Sequence, residues 1–224
     1  MRRPYLAVAL AAAAVALLGG CARGDDWSQP RPQPSAIGEL EAGFVAPSAT
    51  PVPESTITPA PGSWSGVRPG EGYRVVLLSA GTGRPTKTLV AAVRQWAKDA
   101  DVDLRTETAA DDTDLVPAIN RALALRPDLV VSAGDDLVDP LAMITPNHLA
   151  QRFLVVGAEL AEPTGNVTAV DWTGASFRGE GLGASSEYDA ATFTSARCAA
   201  AVRAGTAAVV SGVTGVVVWM DDYA

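Results

Sequence analysis

The chain has 224 residues and carries 25 acidic against 17 basic side chains, a formal net charge of −8. This acidic balance argues against a nucleic-acid-binding protein and against a polybasic membrane-binding patch, since both need clustered Lys and Arg. The chain has only two cysteines. Because we assign one of them to a lipid below, an intramolecular disulfide is excluded and the fold must rest on its hydrophobic core.

A secretory signal is predicted at the N-terminus. Arg2 and Arg3 form a positively charged start, and the apolar run over residues 6–18 is shorter than the ~20 residues that span a bilayer. The run ends in Leu18-Gly19-Gly20-Cys21, which resembles the lipobox of bacterial lipoproteins. This resemblance implies a signal peptide over residues 1–20 and a lipidated Cys21 bearing acyl chains such as palmitate. The alternatives are an ordinary signal peptide that ends near a cysteine and a membrane anchor that is never cleaved.

Residues 21–72 are predicted to be the lipidated cysteine followed by a disordered linker. Nine prolines interrupt a stretch of Ser, Thr, Ala and Gly, and neither a strand period nor a helix period survives. In a Pro-rich extended form, some fifty residues hold a domain at most ~150 Å from a membrane. Trp27, Phe44 and Trp64 are isolated apolar residues in this stretch, either scattered linker aromatics or weak docking points on the domain.

Residues 73–224 form the predicted folded domain, in which short apolar runs alternate with amphipathic segments. Predicted strands cover residues 74–78, 102–106, 128–132, 153–157, 167–171 and 216–220. Predicted helices cover residues 86–100, 115–126 and 141–151, and the Ala-rich residues 176–211 are predicted to be mostly helical. The alternative for residues 141–151 is that Pro146 breaks the helix into a turn. Asp139 is expected to cap the third helix with Pro140 at its first position, and Gly205 is expected to be a weak point of the last one.

This alternation predicts an α/β domain with a single doubly wound sheet. Continuous apolar strands between amphipathic helices indicate a mostly parallel sheet with helices on both faces. Right-handed crossovers then favour a flavodoxin-like strand order at the centre. The polar alternation of residues 102–106 is typical of an edge strand.

Small and polar residues follow the predicted strands, at the sheet edge where doubly wound folds bind ligands. The candidate ligand-binding residues are Ser79, Gly81 and Thr82 after the first strand, Asp135 and Asp136 after the third, and Asp171 and Trp172 after the fifth. Small residues allow a ligand to approach the backbone, carboxylates accept hydrogen bonds from hydroxyls or amines, and Trp172 can stack on a ring or sugar face. The alternative interpretation is structural, since Gly and Asp are common in turns.

No complete catalytic or cofactor motif is found in the sequence. Residues 81–88 nearly match a P-loop, but Thr86 replaces a required glycine and Pro85 removes a backbone N–H from the anion cradle. His148 is the only histidine, and neither a zinc-ligand set nor a Gly-x-Ser-x-Gly elbow accompanies it. Cys198 is expected to be a buried structural thiol. We therefore predict no enzyme activity, no cofactor and no metal site.

Residues 128–139 resemble a segment of bacterial type 1 periplasmic binding proteins in general, and residues 153–157, 166–170 and 177–183 resemble the progression of segments in the basic membrane protein (BMP) family. The BMP family comprises lipid-anchored substrate-binding proteins of ABC transporters, often for nucleosides. The resemblance implies one lobe of a type 1 periplasmic-binding-protein fold, over about residues 73–184 and the final strand. Two features depart from the family: the loop after the first strand lacks its acidic and aromatic residues, and residues 171–215 are too few to hold its second lobe.

Together these observations predict a non-enzymatic, lipid-anchored solute-binding or transporter-associated protein on the extracytoplasmic face of the cell membrane. Its expected partners are the membrane, through the lipid on Cys21, a nucleoside or sugar-like solute, and an ABC permease or another envelope protein. The alternative is a structural or protein-interaction lipoprotein of the cell envelope that takes no small-molecule ligand.

Overall fold

The structure is a computed structural model that describes residues 27, 29, 31–46 and 50–222. The predicted signal peptide and Cys21 lie outside these residues. The described elements, in chain order, are β1 Thr56–Ile57, β2 Arg74–Ser79, α1 Arg84–Asp99, β3 Asp103–Thr108, α2 Leu115–Ala124, β4 Leu129–Ala133, α3 Val138–Ile144, β5 Arg152–Val156, β6 Val167–Asp171, α4 Ser195–Val210 and β7 Val217–Trp219. Within the described part of the chain, no helix is both long enough and apolar enough to cross a bilayer.

The seven strands form one parallel sheet in the order β1-β7-β6-β5-β4-β2-β3. The chain moves from β2 outward to β3, returns past β2 to β4, and then continues in one direction to β7. The doubly wound order predicted for the centre of the sheet is thereby confirmed, with β3 at one edge as expected. The reversal of direction creates a crevice between the carboxyl ends of β2 and β4.

Helices cover both faces of the sheet. On the first face, α1 and α4 pack on a cluster that includes Leu77, Val131 and Val170. On the second face, α2 and α3 pack on a cluster that includes Val76 and Val130. The connection from β5 to β6 contains no helix, so loops alone cover the second face beyond β5.

The predicted disordered linker is wrong for residues 31–46 and 50–72. Ile57 of β1 pairs beside Val218 of β7 and extends the sheet by one strand. Phe44 and Trp64 are both buried in the first core cluster, with ring centroids 6.3 Å apart and planes at 82°. Trp27 is only 4% exposed and belongs to the second cluster. These three aromatic residues contact residues that are distant in sequence, so no local periodicity of the sequence reveals their burial.

The Ala-rich stretch predicted to be helical over residues 176–211 is helical only from Ser195, after a 3₁₀ turn at Ala190–Thr192. Gly179 and Gly181 adopt positive φ angles, a conformation that a right-handed helix cannot contain. Thr194 caps α4, because its side chain accepts a 3.1 Å hydrogen bond from the Arg197 backbone N–H.

The third helix also begins earlier than predicted, at Val138, and Asp139 does not cap it. The carboxylate of Asp139 instead accepts a 3.1 Å hydrogen bond from the Glu180 backbone N–H, which ties α3 to the loop after β6. Pro146 lies in a 3₁₀ turn over Thr145–Asn147 and α3 ends at Ile144, which confirms the alternative that Pro146 breaks this segment into a turn.

Candidate functional site

The seven predicted ligand-binding residues lie at the carboxyl edge of the sheet, but they divide into two groups. The first group follows β2 and β4, which are adjacent strands, and surrounds the crevice between them. The second group, Asp171 and Trp172, follows β6. Because β5 separates β4 from β6, the groups are about 10 Å apart at the strand spacing of ~4.8 Å.

The crevice between β2 and β4 is small and acidic. Gly81 adopts a φ of +71°, and a Cβ atom on it would lie 2.6 Å from Oδ2 of Asp136. Only glycine allows the Asp136 carboxylate this close approach. Burial raises the pKa of Asp136, and the charges of Asp135 and Asp112 raise it further. Two cavities adjoin Gly81: one of about 270 Å³ is also lined by Asp136, and one of about 580 Å³ is also lined by Ser79.

The other predicted residues of this group differ in exposure. Thr82 is exposed. Ser79 is buried, and its Oγ lies 3.3 Å from Oγ1 of Thr108 on the edge strand β3. The crevice therefore offers carboxylates and backbone groups to a solute, which suits amines and hydroxyls.

Asp171 is completely buried and organises the loop after β6. One carboxylate oxygen, Oδ1, accepts hydrogen bonds from the backbone N–H groups of Trp172 at 2.8 Å and Ser176 at 2.9 Å. The other oxygen, Oδ2, has no partner. Burial raises the pKa of Asp171 to about 7, although the two hydrogen bonds lower it. The charges of Glu159 and Asp221 also raise this pKa. Asp171 therefore holds a turn and does not reach solvent.

The predicted stacking role of Trp172 is wrong. Its ring is completely buried and meets Phe193 edge-on, with centroids 5.0 Å apart. Its indole N–H donates a 3.0 Å hydrogen bond to Oγ1 of Thr192. Trp172 packs the loop after β6 onto the first face, because that face needs a large apolar residue where the loop turns toward α4.

A further cavity at the same edge was not predicted from the sequence. It measures about 310 Å³ and lies where loops alone cover the second face, at the carboxyl ends of β5, β6 and β7. We call it the Trp219 pocket. It is lined by Glu54, Thr56, Glu159, Leu160, Ala161, Pro163, Arg178, Ser185, Val217 and Trp219. These residues come from four separate segments. Two of them carry a sequence signal: Glu159 follows the strand predicted at residues 153–157, and Trp219 lies in the last predicted strand.

Two of the residues that line the Trp219 pocket, Arg178 and Glu159, form an ion pair. Nε of Arg178 lies 3.0 Å from Oε1 of Glu159, which is buried. Burial raises the pKa of Glu159, while the Arg178 charge opposes the shift. The pair presents one carboxylate and one guanidinium to the pocket, both of which hydrogen-bond hydroxyl groups.

Asp221 forms hydrogen bonds with Trp219 and with Thr173, on the loop after β6. The Asp221 carboxylate accepts hydrogen bonds of 2.7 Å from the backbone N–H of Thr173 and 2.8 Å from its hydroxyl group. Although burial raises the pKa of Asp221, these bonds and one with Trp219 lower it overall. Trp219 itself is half-buried, so part of its surface remains open to the pocket.

In the described part of the chain, the histidine and the free cysteine lie apart from the pockets at this edge. Among the described residues, no three His, Cys, Asp or Glu side chains are grouped as metal ligands. Cys198 is buried in α4, and burial raises the pKa of its thiol to about 12. His148 lies at the opposite edge of the sheet, just before β5.

Comparison with known proteins identifies partly similar structures only. No family model and no curated protein sequence matches the chain, so membership of the BMP family stays a prediction. Several similar structures are solute-binding proteins of ABC transporters. One from Aeropyrum pernix K1 shares 20% identity over 46% of this chain and 29% of its own, with a TM-score of 0.42. This chain thus spans less than a third of that protein's length.

Two further similar structures are also described as proteins of ABC transporters. A periplasmic ribose ABC transporter protein from Conexibacter woesei shares 21% identity over 45% of this chain and 35% of its own, with a TM-score of 0.36. A solute-binding protein from a Bradyrhizobium species shares 14% identity over 86% of this chain and 61% of its own, with a TM-score of 0.32. Likeness of this extent carries no conclusion about what this chain binds.

Proposed function

We propose that this chain is a lipid-anchored, extracytoplasmic and non-enzymatic protein that binds a small solute in the Trp219 pocket. The observation that carries the proposal is the pocket itself. It combines a half-exposed indole, a carboxylate–guanidinium pair and hydroxyl groups at the ligand-binding edge of a parallel sheet. Ligand sites are concave, and polar groups placed in them orient the ligand. The lining of this pocket is more polar than apolar, which suits a solute that forms several hydrogen bonds.

The chemistry of this pocket favours a neutral, hydroxyl-rich solute. Glu159 and Arg178 neutralise each other, so a charged solute gains little there. Hydroxyl groups of a sugar or a nucleoside can bond both partners while a ring face lies against Trp219. A volume of about 310 Å³ is near the lower end of ligand pockets and suits a single sugar unit or nucleoside. Because one lobe supplies only one wall, we expect weak binding.

Thermal unfolding of the chain from residue 27 onward tests solute binding. Sugars, nucleosides, amino acids and small peptides are added in turn. At ~100 times Kd, a bound solute adds ~2.7 kcal/mol and raises the midpoint by several degrees. We expect a saturable shift with one class of sugar or nucleoside in the wild type, and its loss in Trp219→Ala. Met143→Ala is the control, because Met143 is 67% exposed and remote from the carboxyl edge.

Absence of any shift would contradict the proposed solute binding. It would then favour a structural or protein-interaction lipoprotein. A specific observation supports this second candidate: Leu182 and Tyr188, on the loop after β6, are 55% and 50% exposed and offer apolar contacts to a protein partner.

The proposed lipid anchor is tested by substitution of Cys21. We expect Cys21→Ser to move the full-length protein from the membrane fraction to the soluble fraction, since no acyl chain is then attached. Cys198→Ser, which leaves the lipobox intact, is expected to stay with the membrane. If Cys21→Ser remains membrane-bound, the lipoprotein assignment is incorrect.

A further inference from the structure

The way residue 27 is bound to the domain has a consequence for the membrane. We propose that the amino edge of the sheet, near Leu149, rests against the bilayer and that the carboxyl-edge pockets face away from it. The proposal rests on the lipid anchor at Cys21 put forward above. It concerns a lipid surface as partner and the side of the domain that meets it.

Contacts at the amino ends of the strands hold the chain in place at residue 27. The Trp27 ring is buried, and the guanidinium of Arg105 lies 4.4 Å from its centroid. The Trp27 carbonyl accepts a 3.0 Å hydrogen bond from Arg74, the first residue of β2. These contacts attach the N-terminal segment to the edge of the sheet opposite the pockets.

A second attachment follows four residues later. Arg31 forms an ion pair with Asp128, which directly precedes β4. The Asp128 carboxylate also accepts a 2.7 Å hydrogen bond from the backbone N–H of Arg74. Trp27 and Arg31 are therefore bound to two adjacent strands, at their amino ends.

The remaining chain between lipid and domain is short. Six residue steps separate Cys21 from Trp27, and a fully extended chain spans at most ~3.6 Å per residue, or roughly 22 Å in total. This is far less than the ~150 Å that a free linker of some fifty residues allows. A domain restrained so closely must keep its amino edge near the membrane.

An exposed leucine beside a groove at this edge identifies the side that meets the lipid. Leu149 is 66% exposed and lies between the 3₁₀ turn and β5. Beside it a groove of about 640 Å³ extends to Pro127, which precedes β4, and includes Arg126 and His148. An exposed leucine flanked by a cationic residue suits the headgroup–acyl boundary.

The charges at the amino edge agree with contact through the Leu149 side. Acidic residues lie toward the opposite end of this edge, where Asp101 and Asp103 precede or begin β3. They repel anionic headgroups and disfavour contact there. Asp128, which directly precedes β4, is neutralised by Arg31.

Energy transfer between the domain and a lipid surface tests this orientation. The full lipidated chain, in a Cys198→Ser background, is placed in vesicles of phosphatidylcholine and phosphatidylglycerol with a headgroup-labelled acceptor. One donor label is attached at Ala150→Cys on the amino edge and another at Glu187→Cys on the carboxyl edge. Both positions are exposed. The edges are separated by a strand of roughly 17–20 Å plus its loops, so we expect about twofold or higher transfer from position 150.

Two variants separate the cause of the orientation from the anchor. A flexible segment of about twenty Gly and Ser residues inserted before Trp27 is expected to equalise transfer from the two labels while the protein still sediments with vesicles. Leu149→Asp is expected to reduce the difference between the labels, since it places a charge at the contact. Leu182→Asp, at the carboxyl edge, is the matched control and is expected to leave the difference unchanged.

The outcomes distinguish the orientation from the anchor. If the wild type sediments with vesicles but both labels show equal transfer, the orientation is overturned and the lipid anchor stands. If the wild type, made in a lipidating host, does not sediment, both the anchor and the orientation are overturned.

Discussion

Gly205 shows how a single residue is set by its neighbours. It lies in the middle of α4, where a Cβ atom would be 2.5 Å from Cγ2 of Val170 and 2.7 Å from Cδ1 of Leu154. Glycine lowers intrinsic helix stability by about 1 kcal/mol relative to alanine, which is why the sequence alone indicates a weak point. In the structure it allows α4 to pack closely on β5 and β6.

We therefore expect Gly205→Ala to destabilise the fold. Overpacking of a dense core costs about 1–3 kcal/mol, which exceeds the helix propensity gained. Chemical denaturation measures the change. Gly183→Ala is the control, because nothing lies within 4 Å of a Cβ atom at that exposed position. A Gly205→Ala variant more stable than wild type would show that α4 does not pack this closely.

Asp171 makes stability depend on pH. Burial raises its folded-state pKa from 3.8 to about 7. Between these values the folded state retains a proton that the unfolded chain has lost. The stabilisation from this proton is present below about pH 4 and is lost as the pH rises through about 7.

Asp171→Asn is expected to remove this dependence. Asparagine keeps the acceptor for Trp172 and Ser176 but carries no charge. As the pH rises from 4 to 8, the free energy of unfolding of the variant is expected to increase relative to that of the wild type by about 2–4 kcal/mol. Denaturation at several pH values measures the difference. A constant difference across this range would exclude Asp171 as the titrating group.

At the scale of elements, the segment before β2 is part of the fold. Phe44 is 1% exposed and lies against Trp64, and β1 completes the sheet beside β7. Phe44→Ala is expected to cost about 3–5 kcal/mol in unfolding free energy, as for other buried aromatic residues. Val52→Ala, in the same segment but 60% exposed, should change it by less than about 0.5 kcal/mol. Equal effects would mean that the segment does not pack in solution.

The strands and helices within residues 73–224 were predicted well because their signals are local. The strand at residues 167–171 has the predicted bounds, and α1 begins within two residues of its predicted start. The long helix over residues 176–211 was predicted poorly, because alanine content indicates helix even where glycines and a buried loop prevent it. Asp171 and Trp172 determine that loop through contacts that the sequence pattern does not show.

At the scale of the whole molecule, the folded unit extends beyond the predicted boundary at residue 72. Trp27, Phe44 and Trp64 each contribute roughly 1.5–3 kcal/mol by burial, or about 5–9 kcal/mol together. This is comparable to the net stability of a typical domain, which is about 5–15 kcal/mol. The N-terminal segment therefore decides whether the domain is stably folded.

A truncation tests this conclusion. A chain of residues 73–224 is expected to be largely unfolded or to melt at much lower temperature than a chain of residues 27–224. Circular dichroism during heating compares the two, and the longer chain serves as the control. Equal melting temperatures would show that the folded domain begins after residue 72, as the sequence predicted.

The sequence by itself determined the parallel sheet, its doubly wound order and the edge at which polar residues collect, because apolar runs and helical periods are local properties of the chain. Only the tertiary structure decided which aromatic residues are available to a ligand. Trp172 and Trp219 both follow or end a strand, yet one is packed under a loop and the other lines a pocket. The difference arises because burial depends on residues that are distant in sequence, such as Thr192, which accepts a hydrogen bond from Trp172, and Glu159, which lines the same pocket as Trp219.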